Sequence, residues 1–109
     1  MIVRTWQTAV DPDRVNEFET FAKTYSLPMF QLQPGCLGVL FSRDEEHTTT
    51  LSFWEDQASI DQLETSTSYK ETVERIHSTD LLRGEQSVAI NPIFGGYLDL
   101  EEGLGRMTK

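Results

Sequence analysis

The sequence predicts an α+β domain of the ferredoxin-like type, an antiparallel βαββαβ sheet carrying its helices on one face. Three observations predict it. Four segments are rich in β-branched and aromatic residues, and two others repeat apolar residues at helical spacing. Their order is strand, helix, strand, strand, helix, strand. At 109 residues the chain holds one domain with little room for a second.

Residues 2–10, IVRTWQTAV, form the first predicted strand. Alternation places Ile2, Arg4, Trp6 and Thr8 on one face, with Val3, Thr5, Gln7 and Ala9 on the other. Asp11-Pro12 then starts a helix, the aspartate as N-cap and the proline in the first turn. Val15, Phe18, Phe21, Ala22 and Tyr25 make its apolar stripe. The expected end is near Ser26, because a residue preceding proline disfavours helical geometry and Pro28 lies close.

Pro34-Gly35 signals a turn into a second strand, residues 36–43. Asp44-Glu45-Glu46 is the hairpin tip, and residues 47–55 return as a third strand. Asp56 caps a short helix with Ile60 and Leu63 inward. Thr65-Ser66-Thr67 interrupts it, and Ser68 with Glu71 makes a capping box for the next helix. The inner stripe of that helix is Tyr69, Val73, Ile76 and His77. Residues 85–94 form the fourth strand, which Asn91-Pro92 marks as an edge strand or a bulge. Residues 96–109 read as a C-terminal arm or flexible tail.

Composition excludes several classes. Nine basic residues against 18 acidic give a net charge of −9. Phosphate backbones and anionic membranes call for the opposite sign, so neither nucleic acid nor membrane is an expected partner. No apolar run approaches the ~20 residues needed to span a bilayer. The opening MIVRTWQTAV lacks the features of a secretory signal. One cysteine, Cys36, permits no internal disulfide, and the expected location is cytoplasmic.

The apolar fraction, 38%, makes a thin core for a lone chain. A ferredoxin-like sheet also leaves one face bare, and both faces of strands two and three carry apolar residues. A second copy covering that face is the economical solution, which predicts a homodimer.

No dinucleotide glycine motif, P-loop, nucleophile elbow or clustered Cys/His pattern occurs, so no cofactor or metal is expected from motifs. The candidate site residues are therefore single side chains. Trp54, in LSFWED, offers a flat surface and one N–H donor, or is a large core residue at a strand end. Trp6 and Arg4 share a strand face and could line a pocket, or serve as an interface aromatic beside a paired arginine. His77 suits a base near neutral pH, or complements the end of its helix. Tyr25 and Tyr69 lie on inner helix stripes, where either hydroxyl could donate to a ligand or be a satisfied core group.

Three stretches carry a resemblance: the opening IVRTW, LPMFQLQPGCLGV, and LSFWEDQASIDQLETSTSYKETVE. Across residues 1–95 the chain resembles the antibiotic biosynthesis monooxygenase (ABM) family. The resemblance implies a dimeric α/β barrel built from two ferredoxin-like subunits. It also implies a cofactor-independent oxidation, by O2, of a small aromatic, anthrone- or quinol-like or polyketide-like metabolite. In that branch a tryptophan stands at Trp54, facing a pocket, while Ile60 stands where another aromatic is usual. Arg4, Tyr25 and Tyr69 are candidate replacements for its substrate-holding tyrosine and arginine. The superfamily also contains isomerases and proteins without catalysis, so an isomerase- or cyclase-like enzyme or a ligand-binding dimer is the alternative. Its heme-degrading branch uses an Asn, a Trp and a His. These positions fall on Thr5, Trp6 or Gln7, on Leu63 and on Val73, and all three depart, which argues against heme degradation.

Overall fold

The computed structural model describes residues 1–99. Strand β1 (Ile2–Val10) is followed by a 3-10 turn (Pro12–Arg14), helix α1 (Val15–Phe21), a π-helical turn (Ala22–Ser26) and helix α2 (Leu27–Gln31). A hairpin of β2 (Cys36–Arg43) and β3 (His47–Trp54) comes next, then α3 (Gln57–Thr65), α4 (Thr67–Ser78) and β4 (Leu82–Pro92). The sheet order is β2-β3-β1-β4, with every neighbouring pair antiparallel, and this is the ferredoxin-like α+β fold. Of the arm expected over residues 96–109, residues 96–99 carry no regular structure and the rest lie outside the described residues.

The first helical region differs from expectation. It runs through Ser26 and Pro28 to Gln31 instead of ending before the proline. A π turn solves the local problem, since the N–H of Leu27 reaches back five residues to the carbonyl of Ala22. The widened turn lets Pro28, which lacks an N–H, sit in the first turn of α2, where prolines are tolerated. The extra residue in the turn also rotates the stripe. Phe18, Phe21 and Ala22 are buried as expected, but Tyr25 swings outward and is 41% exposed.

Two boundaries also shift. Ser66, not Ser68, caps α4, accepting a 3.1 Å bond from the N–H of Tyr69. The N–H of Ser66 meanwhile bonds the carbonyl of Leu63, so one extended residue closes α3 and opens α4. That frees the Ser68 hydroxyl to accept from Gln33 Nε2 at 2.9 Å. Strand β4 begins at Leu82, three residues before the expected start. Asp80, at φ 59°, ends the helical path abruptly, and the carbonyl of Leu81 already accepts from the N–H of Asp11. β4 is an edge strand, as Asn91-Pro92 implied.

Register decides which side chains meet the helices. Trp54, Ser52, Thr50 and Thr48 are all buried on the helix face of β3, opposite Ile2, Arg4, Trp6 and Thr8 of β1. The other face presents Val3, Leu40, Leu51 and Phe53, half-buried and with no layer above them among the described residues. Between sheet and helices the core divides into two clusters. One gathers Val10, Phe18, Phe21, Ala22, Ile76 and Leu81; the other gathers Met29, Phe30, Trp54, Ile60 and Leu63. Phe41 touches both.

Gly35 sets the approach of α3 to the β2 turn. It adopts φ +79°, and a Cβ there would fall 2.0 Å from Ser59 Oγ. Only glycine lets the N-terminus of α3 pack this closely.

Candidate functional site

A cavity of about 110 Å³ opens at the seam between the two core clusters. Both clusters wall it: Phe18, Phe21 and Ile76 from one, Met29 and Phe30 from the other, with Phe41 shared. The strands supply its polar floor, Arg4 and Trp6 from β1, Thr50 from β3 and Gln86 from β4. Helix α4 supplies Tyr69, Thr72, Val73 and His77, and the π turn contributes Ala22 and Ser26. Unusual helical turns of this kind often sit beside functional cavities, and this one forms part of the wall.

Arg4 is the anomalous residue. It is a strand arginine only 3% exposed. Among the described residues its side chain makes one hydrogen bond, from Nη2 to the Tyr69 hydroxyl at 3.0 Å. Its Nε is buried without a hydrogen-bond partner. The Glu64 carboxylate lies 3.5 Å away on α3, half in solvent and outside hydrogen-bonding geometry. A guanidinium carries five donors, and leaving buried donors unused is costly. The side chain of Thr50, beside the cavity, makes no hydrogen bond among the described residues.

The mouth carries a second polar group of three residues. Trp6 Nε1 donates to Gln86 Oε1 at 3.2 Å. The Gln86 amide nitrogen stands 3.4 Å from His77 Nε2. With Oε1 occupied by the indole, the amide NH2 faces the imidazole, so Nε2 is the acceptor in that pair. A neutral ring with its proton on Nδ1 satisfies the arrangement. In that arrangement the Nε2 lone pair is shared with Gln86, and a proton taken up there would replace the amide contact.

Four of the six residues singled out from sequence, Arg4, Trp6, Tyr69 and His77, come together around this cavity. Two do not. Tyr25 packs against Phe21 with ring centroids 5.1 Å apart, under the guanidinium of Arg75, 4.5 Å from its ring. The rotation introduced by the π turn put it there. Trp54 shares the helix face but is 0% exposed and does not line the cavity. Its ring meets Phe30 edge-on, and Nε1 donates to Ser52 Oγ at 2.9 Å. Phe30, of the same cluster, lines the cavity in its place.

Sequence reasoning missed Thr50 and Gln86. Thr50 was legible as a polar residue on an inward strand face. Gln86 was not, because the β1–β4 register shifts between Gln7 and Ala9 and only the folded sheet fixes its direction. Val73 and Leu63, at the positions a heme-degrading relative would use, are a wall residue and a core residue. Among the described residues no three His, Cys, Asp or Glu side chains cluster as a metal site. No helix among them is long and apolar enough to cross a membrane.

A ferredoxin-like sheet roofed by helices thus encloses an aromatic-walled cavity ending on convergent polar groups. The chain belongs to the antibiotic biosynthesis monooxygenase family, whose profile matches residues 1–75. No curated protein matches it in sequence. Among solved structures, an antibiotic biosynthesis monooxygenase superposes with a TM-score of 0.72 at 16% identity, covering 87% of this chain and 100% of that one. A conserved protein from Methanosarcina mazei Go1 gives 0.68 at 26% identity, covering 83% and 90%. A variant of SnoaB, a cofactor-independent oxygenase from Streptomyces nogalater, gives 0.67 at 14% identity, covering 91% and 95%.

Proposed function

We propose that the protein is a cofactor-independent monooxygenase that oxidises a small phenol-, quinol- or anthrone-like molecule with O2. The observation that carries this reading is the cavity with aromatic walls, a buried Arg4 bonded to the half-buried Tyr69 on its surface and His77 beside it. Family membership and the likeness of fold to a named cofactor-independent oxygenase support it.

The chemistry asks little more of the protein. A phenol gives up its acidic proton to His77, and the electron density that remains spreads over the oxygen and a ring carbon. Arg4 and the Tyr69 hydroxyl hold that oxygen as the charge develops. The ring carbon passes electrons to O2 and forms a C–O bond, giving a hydroperoxide. Loss of water from it converts C–H into C=O, so one oxygen atom enters the product and the other leaves as water. The apolar walls keep bulk water from the anion.

The subunit acts in this reading as a homodimer, two copies joined through the bare sheet face. Val3, Leu40, Leu51 and Phe53 form an apolar patch there that a second copy would cover.

Oxygen uptake with a panel of phenols, hydroquinones and anthrones, without added cofactor, tests the activity. Turnover above the uncatalysed rate is the expected result, and none across the panel defeats it. A base facing an anion-holding pair also suits proton transfer without oxidation. Deuterium exchange into substrate with no oxygen consumed would select that isomerase-like reading.

A further inference from the structure

We infer that Gln86 is a positioning residue: aimed by Trp6, it fixes His77 as the tautomer with its proton on Nδ1, and so makes Nε2 the basic atom at the cavity. The bearing of this on catalysis rests on reading His77 as the base of the proposed reaction; the tautomer itself does not.

The direction of the chain is set at one end. An indole N–H can only donate, so the Gln86 atom 3.2 Å from Trp6 Nε1 is the amide oxygen. The amide nitrogen is left for His77 Nε2, 3.4 Å away, and an NH2 group also only donates. Turning the amide over would set donor against donor at the indole. Nε2 is therefore the acceptor. In a neutral ring the proton then lies on Nδ1, which has no protein partner among the described residues to compete. A histidine side chain free in water prefers the opposite tautomer, and the partner of one nitrogen decides which form a protein holds.

A local irregularity delivers Gln86 to this place. Gln7 pairs with Ser87 and Ala9 with Arg83, so Gly84, Glu85 and Gln86 of β4 lie opposite the single residue Thr8. Gly84, at φ +70°, supplies the left-handed backbone of the bulge. Bulges re-aim side chains, and this one sets Gln86 on the cavity beside Trp6, whose direct partner on β4 is Val88. Gln86 and His77 are exposed, and hydrogen bonds at a wetted surface add little to stability. The chain Trp6–Gln86–His77 thus orients the ring more than it holds the fold.

Nitrogen-15 NMR of the imidazole tests this without turnover, because the chain has two histidines and His47→Gln removes the other. At about pH 9, above the ordinary imidazole range, the ring is neutral. His77 is expected to show a protonated Nδ1 and a bare Nε2. Gln86→Leu should move the proton toward Nε2, and Gln86→Glu should move it further, since a carboxylate only accepts. A proton on Nε2 in the unmodified protein, or a tautomer that Gln86→Leu leaves as it was, overturns the inference. Trp6→Phe frees the amide to turn over and should give a mixture; the Nδ1 form persisting in full removes Trp6 from the chain. Should that variant fail to fold, the indole signals decide. On Gln86→Leu the Trp6 N–H should shift while that of Trp54, held by Ser52, stays fixed, and no shift removes Trp6. In oxygen uptake Gln86→Leu should lower kcat several-fold with KM little altered. A reversed tautomer at unchanged kcat overturns the positioning role, whereas absence of any uptake with the tautomer as expected defeats the proposed reaction alone.

Discussion

The indole N–H of Trp54 is held by Ser52, two residues earlier on the same strand, at 2.9 Å and out of reach of solvent. Ser52 in turn donates to the carbonyl of Arg4 across the ladder at 3.4 Å. Trp54 thereby braces the strand pair under Arg4 without touching the cavity. Ser52→Ala leaves a buried indole donor unpaired, at a cost of about 1–3 kcal/mol. Chemical denaturation should show that loss, with cavity binding retained in the folded fraction. Weakened binding with unchanged stability would put Trp54 in the site after all.

His77 is exposed on the last turn of α4, so its removal should spare the fold. If it is the base, His77→Ala lowers the oxidation rate about 10²–10⁴-fold, the usual worth of a positioned general base. The melting temperature should stay unchanged. A rate within twofold of the unmodified protein removes His77 from the mechanism.

The bare sheet face predicts a dimer that one charge can break. Leu51 and Phe53 stand side by side on that face, opposite Leu40 and Gly38 of β2 and Thr5 and Val3 of β1. Leu51→Lys should convert a dimer of about twice 12.5 kDa into a monomer in light scattering. A monomeric starting protein, or a variant that remains dimeric, excludes this face as the interface.

Asp56 caps α3, accepting from both the hydroxyl and the N–H of Ser59 at 2.8 and 2.9 Å. The Ser59 hydroxyl first, and then its N–H, hold the carboxyl below its ordinary 3.8. A depressed folded-state value means the cap stabilises above the unfolded-chain value and fades as pH falls through the lower one. Asp56→Ala should therefore melt lower than the unmodified protein at pH 7. The gap should close below about pH 4, where carboxylates protonate. A gap constant with pH would show that the charge of the cap is irrelevant.

Much of the fold was legible because its signals are local. The alternation of IVRTWQTAV assigned Arg4 and Trp6 to one face, and Asp56 before QASI announced a helix. The capping of α4 misled because Ser66 and Ser68 are equally good candidates, and the distant Gln33 engages Ser68. Pro28 misled because a π turn absorbs a proline that would stop a regular helix. That one turn also carried Tyr25 away from the site.

By itself the sequence determined the order of elements, which residues of β1 and β3 share a face and the family, since periodicity and capping act over a few residues. Only the tertiary structure decided that Arg4 meets Tyr69, 65 positions away, that Gln86 links Trp6 to His77, and that Phe30 displaces Trp54 from the cavity wall. Those contacts depend on strand register, on a bulge in β1–β4 and on the rotation of one helical turn. Each is a compromise among distant packing forces that no short stretch of chain records.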